Sequence, residues 1–260
     1  MKTSHLLAIL LISNGAWAGQ SCKEVVPPPE TVKKALTLAN QSRDALEKSG
    51  AEVALIARVG QDLSKYHLRY SHFGFAWRDH PQGRWMILHE LNQCSTATSG
   101  IFLEGIGNFF LDDMFEYDTL ILIPGAATQK RLAAVLATDK IARFHGDRYN
   151  MLAYAFSTRY QNSNQWALEV FAAAASRETD IQSREQAQAW LKYAGYQPDT
   201  LEIDAMTRLG ARLFRANVAF DDHPVNRRMA GHIDTVTVDS AFRFVRQREP
   251  EHREIHLSLN

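Results

Sequence analysis

The tightest constraint on what this chain can fold into lies in residues 70–91. Two apolar, aromatic-rich runs, 70–77 and 85–91, flank the segment Asp79-His80-Pro81-Gln82-Gly83. Proline presets one backbone angle and glycine frees another, so this is the strongest turn signal in the chain, and two strands joined so tightly must pair as an antiparallel hairpin. Around it, apolar periodicity of about 3.6 residues predicts helices over 30–48, 128–138, 163–176, 183–193 and 204–215. Further strands are expected at 53–59, 120–123 and, by alternation, 232–245. Helices and an antiparallel hairpin in this order give an α+β class.

Other segments are read more coarsely. Residues 95–113 are Gly-rich and aromatic, a long loop with short helical pieces whose Ile101-Phe102-Leu103 and Phe109-Phe110-Leu111 must be buried. Residues 249–254 mix charges and read as a solvated tail. Asp221-Asp222-His223, followed by Pro224, reads as a turn rather than a metal site. The organisation expected is a leader (1–18), a linker and helix (19–52), a core (53–180) and a C-terminal extension packed on it (181–260).

Lys and Arg together number 29 against 29 Asp and Glu. Zero net charge removes the uncompensated basic footprint that nucleic acid requires. With 45% apolar residues the chain folds rather than remaining disordered. Lys2, the apolar run 6–12 and Ala16-Trp17-Ala18 make a secretory leader cut after Ala18, which places the protein in the periplasm or outside the cell. No later run is long enough to span a bilayer. In an oxidising compartment the two cysteines, Cys22 and Cys94, are expected to form a disulfide.

The residues that could carry chemistry begin with His72, in Tyr70-Ser71-His72-Phe73-Gly74-Phe75, a histidine in an apolar strand beside a glycine that leaves room over the sheet. With Gln82 near the turn's centre, Glu90 falls opposite or nearly opposite His72 and could orient it as a general base, whereas a one-residue slip substitutes His89. Ser163 is expected at a helix start, where free N–H groups and the dipole favour developing negative charge, with Asn162 as the N-cap.

Ser71-His72-Phe73-Gly74, Gly146-Asp147-Arg148-Tyr149-Asn150 and Asn162-Ser163-Asn164-Gln165-Trp166 stand in an order that resembles the permuted branch of the NlpC-type papain-like cysteine peptidases and amidases, over residues 53–175. More narrowly, the chain resembles a family of exported bacterial proteins of unknown function. The resemblance implies a papain-like core, an antiparallel sheet bearing His72 and Glu90 against a helix bearing Ser163. It also implies Tyr149 and Asn162 at a ligand site; no cofactor is expected, and no residue spacing points to a metal site.

Where those enzymes carry a nucleophilic cysteine, this chain has Ser163, and a hydroxyl is not ionised by histidine and helix dipole as a thiol is. Three readings stay open: a non-catalytic or weakly active relative that binds a peptide-like or lipid-like ligand of the cell envelope, a serine amide or ester hydrolase using Ser163, His72 and Glu90, and an engineered Cys-to-Ser change. The first is the main reading.

Overall fold

The computed structural model describes residues 26–94, 96–112 and 114–259. The expected leader and Cys22 lie outside the described residues; Cys94 is disulfide-bonded. The chain runs α1 (Pro29–Ser49), β1 (Val53–Val59), β2 (His72–His80), β3 (Gly83–Asn92), β4 (Ser99–Gly105), α2 (Ile106–Leu111), β5 (Glu116–Ile123), α3 (Ala126–Leu136), α4 (Lys140–Arg143), α5 (Ser163–Ala175), α6 (Arg184–Tyr193), β6 (Asp199–Glu202), α7 (Ala205–Phe214), α8 (Val225–Met229), β7 (His232–Thr235), α9 (Val238–Arg248) and β8 (Arg253–Ser258). This is a mixed α+β protein whose antiparallel sheet packs against helices.

Six strands form that sheet in the order β4-β3-β2-β1-β5-β8, and β6 pairs with β7 in a separate ribbon. Alternation along the strands divides the apolar side chains between two layers. Leu55, Ala57, Phe73, Phe75 and Leu88 face α3, α5 and α9, meeting Leu132, Trp166, Phe171 and Phe242. Ala54, Ile56, Ala76 and Ile87 face the other way, onto Leu38, Leu46, Phe109 and Phe110 of α1 and α2. With both faces covered, β1 is buried along its whole length, which is why Val53-Ala54-Leu55-Ile56-Ala57 reads as continuous rather than alternating.

Three expectations are corrected. Residues 95–113 are not mainly loop: β4 pairs with β3 in the register Ile87↔Glu104 and His89↔Phe102. Residues 232–245 are not one strand but β7 followed by α9, because Thr237 caps a helix there with Ser240 as its reciprocal partner. The charged segment beyond Glu249 is not a solvated tail. Glu249 is buried and accepts from the Thr128 hydroxyl at 2.7 Å, and β8 completes the sheet edge against β5.

The feature that positions the site is a split in this sheet. β2 and β3 pair from His80↔Gly83 up to Phe75↔Leu88, and no pairing continues to His72. Asn164, at the start of α5, fills the gap: its side-chain carbonyl accepts from Phe73 N–H and its amide donates to the Ser71 carbonyl, each at 3.2 Å. A helix N-terminus is thereby inserted between two strands of its own sheet.

Candidate functional site

Because Asn164 holds the backbone on either side of His72, the preceding residue, Ser163, meets the imidazole. Ser163 Oγ lies 3.1 Å from His72 Nδ1. The other ring nitrogen, His72 Nε2, lies 2.8 Å from His89 Nδ1. His89 Nε2 in turn is 3.0 Å from Glu104 Oε1, in contact but not aligned as a good hydrogen bond. Four side chains from α5, β2, β3 and β4 thus form one row.

His89, not Glu90, partners His72, and the sheet supplies the reason. A cross-strand pair shares a face, and neighbours along a strand do not. Glu104 is paired with Ile87, so it and His89 are diagonal neighbours on the face toward α2. A Cβ added at Gly74 would lie 2.8 Å from His89 Cβ, so Gly74 and, two residues earlier, His72 belong to that face too. Glu90 points to the opposite one. The glycine beside His72 therefore makes room for a second histidine, its ring tilted 53° to the first with centroids 5.1 Å apart.

The acceptor and donor roles along the row depend on the histidine tautomers. With the His89 proton on Nε2, on the side of Glu104, its Nδ1 is bare. His89 Nδ1 then accepts from His72 Nε2–H, and His72 Nδ1 is left to accept the Ser163 hydroxyl proton. His72 is held well below the usual histidine range, first by burial and then by the positive charge of Arg58 and the nearby His89. It is neutral at pH 7.

Arg58 stands across β1 from His72 and is almost fully buried. Its guanidinium donates to the Phe109 carbonyl and to Asp112, and lies over the Phe109 ring. Its signal was a lone charge in the otherwise apolar run Val53-Ala54-Leu55-Ile56-Ala57-Arg58-Val59. Glu104 and Asn164 were missed as well. The first ends an apolar run whose strand was not seen, and the second is hidden in what reads as a polar cap.

On the α5 side of the split, burial and the neighbouring Glu90 push the Tyr149 hydroxyl up, against the partial pull of the Ser163 side chain. Glu90 is completely buried. Burial raises its carboxyl to about 8, against the partial pull of the Ser99 hydroxyl and the Arg184 charge, so it is mainly protonated at neutral pH. Asn162, expected at a ligand site, is spent on structure. Its carbonyl accepts Gln165 N–H at 2.8 Å, and its amide faces Met151 O, Thr235 Oγ1 and Val236 O. Ser163, His72 and Tyr149 are each 7–8% exposed, a nearly closed site.

Among the described residues no group of three or more His, Cys, Asp or Glu is placed to hold a metal ion. Asp222, instead of ligating, accepts Tyr154 N–H at 2.7 Å. Residues 45–245 match a family model described as "Uncharacterized protein conserved in bacteria (DUF2145)". No curated protein and no solved structure matches the chain.

Proposed function

We propose that this chain, which belongs to the DUF2145 family of bacterial proteins, is an exported acyl hydrolase in which Ser163 attacks an amide or ester carbonyl. The observation that carries the reading is the 3.1 Å contact between Ser163 Oγ and His72 Nδ1. As the hydroxyl oxygen bonds to the carbonyl carbon, its proton passes to His72 Nδ1. The imidazolium so formed keeps its Nε2–H directed at His89, and the row ends on the negative charge of Glu104. The Ser163 and Asn164 N–H groups at the start of α5 and the Tyr149 hydroxyl are the donors available to the oxyanion. His72 then returns the proton to the leaving amine or alcohol, and a water activated at the same nitrogen releases the acid.

The order of a histidine strand followed by a helix-start nucleophile supports a kinship with the permuted NlpC-type papain-like fold. Envelope peptides, or lipid-like acyl compounds, are the substrate class this kinship suggests. Export by the leader and a Cys22–Cys94 bridge belong to the same reading.

A serine-directed fluorophosphonate probe tests it. The expected result is labelling of the parent that disappears in Ser163→Ala and His72→Ala. Labelling that persists in Ser163→Ala, or a parent that never labels, overturns the assignment. The second reading, a non-catalytic binder, is favoured by the burial of His72 across from Arg58, which lowers its pKa and weakens it as a base. That reading expects an unlabelled parent that retains an envelope-derived ligand through purification.

A further inference from the structure

The exposed large apolar side chains of the described residues are not scattered. Six of the eleven, Met206, Leu209, Leu213, Phe214, Val225 and Met229, belong to α7 and α8. No residue of α7 is buried. At 100° per residue, Met206, Leu209, Leu213 and Phe214 share one face of this helix. That face is open to solvent, from 53% exposed at Leu209 to 84% at Phe214. The opposite side meets the protein: Ala211 packs on the small cluster of Leu201, Ile203, Phe220 and Ile233, and Arg208 donates to the Ile203 carbonyl. A stripe of this kind on an otherwise polar surface marks something that covers it.

Charge identifies the cover. α7 and α8 carry four arginines, at 208, 212, 227 and 228, and no Asp or Glu; Arg227 is paired with Asp234 at 2.6 Å, which leaves Arg208, Arg212 and Arg228 as positive charge around the stripe in a chain whose charges balance overall. Asp204, just before α7, is committed to its N-cap through Thr207 N–H at 2.9 Å. A second copy of this chain fits such a face poorly, since a two-fold contact would set arginines against the same arginines with no carboxylate in either helix. A bilayer with anionic headgroups fits it on both counts, taking the apolar stripe among its acyl chains and the exposed Arg212 at its phosphates, within the net positive charge of the two helices.

We infer that α7 and α8 form a peripheral docking surface for an anionic phospholipid bilayer, holding the protein against a membrane that it does not span. This surface is independent of the chemistry at Ser163.

Flotation of the purified protein with vesicles tests it, using phosphatidylcholine alone and phosphatidylcholine mixed with phosphatidylglycerol. The parent is expected to float with the anionic vesicles, less so as salt rises, and little with phosphatidylcholine alone. Leu213→Asp with Phe214→Asp should cost at least about tenfold in apparent affinity. Arg212→Glu should cost a few-fold, and its unchanged melting curve keeps the test valid if the double variant folds poorly. No flotation with anionic vesicles, or equal flotation of parent and variants, overturns the inference. So does a parent dimer that the double variant dissociates without any vesicle binding, since the face then belongs to a second copy.

Discussion

At the scale of single residues, the site turns on the difference between a hydroxyl and a thiol. His72 is neutral and its Nδ1 faces Ser163, a geometry better suited to taking a proton from a thiol than from an alcohol some five or more units less acidic. Ser163→Cys is therefore expected to give a thiol that iodoacetamide alkylates faster than an unperturbed cysteine, and His72→Ala in that background should slow the alkylation; equal rates would show that the contact does not activate position 163. Glu90 supports a second prediction, in stability. Its folded-state pKa of about 8 exceeds the ordinary 4.5, so between these values the unfolded chain releases the proton first and stability falls as pH rises. Glu90→Gln should leave stability nearly unchanged below pH 4.5 and raise it at pH 8 by on the order of a few kcal/mol, discounted for the buried amide it introduces. Urea titrations at the two pH values check this. His72 works in the opposite direction: its folded-state pKa is depressed, so the unfolded chain binds the proton first and stability is lost as pH falls below 6.5.

At the scale of elements, the site depends on where strands separate and where a helix begins. A Cβ at Gly74 would sit 2.8 Å from both His89 Cβ and the Leu88 carbonyl, a contact that neither strand can yield without moving. Gly74→Ala should cost about 1–3 kcal/mol in a thermal or urea melt and weaken probe labelling, because it pushes His89 from His72. A Gly74→Ala protein with parental stability would show that no close approach of β2 and β3 requires the glycine. Asn162→Ala removes the α5 cap, an expected loss of about 1–2 kcal/mol before its amide contacts are counted. The hairpin and the helix starts at Asn162, Ser183 and Asp204 are legible in the sequence, since turn and cap residues act locally. β4 is not, because its glycines and mixed face obscure alternation. The spacing of Val238, Ala241, Phe242 and Val245 is that of a helix, and reading Ile233, Val236 and Val238 as an alternating strand concealed it.

At the scale of the whole molecule, a buried ion pair ties the segments around the site. Glu169 of α5 is fully buried and accepts from Arg184, Gln161 and Gln188, while Arg184 also reaches the carbonyls of Thr158 and Tyr160. A Cβ at Gly146 would lie 2.7 Å from the Arg184 guanidinium, so the Gly146–Tyr149 stretch is locked to the same group. Arg184→Met should destabilise by about 3–5 kcal/mol in urea unfolding, since it leaves a carboxylate buried without its cation; a loss under 1 kcal/mol would mean that Glu169 is neutral in the fold. Whole-chain charge misleads at this scale, for a balance of 29 against 29 averages over a helix pair that carries only arginines. By itself the sequence determined the α+β class, the hairpin, and the candidacy of His72 and Ser163, because turns, caps and periodicity are properties of neighbours along the chain. Only the tertiary structure decided that His89 rather than Glu90 completes the row, that Glu104 ends it, and that the apolar face of α7 is left uncovered. Strand faces, the split between β2 and β3, and exposure are set by contacts between residues far apart in sequence.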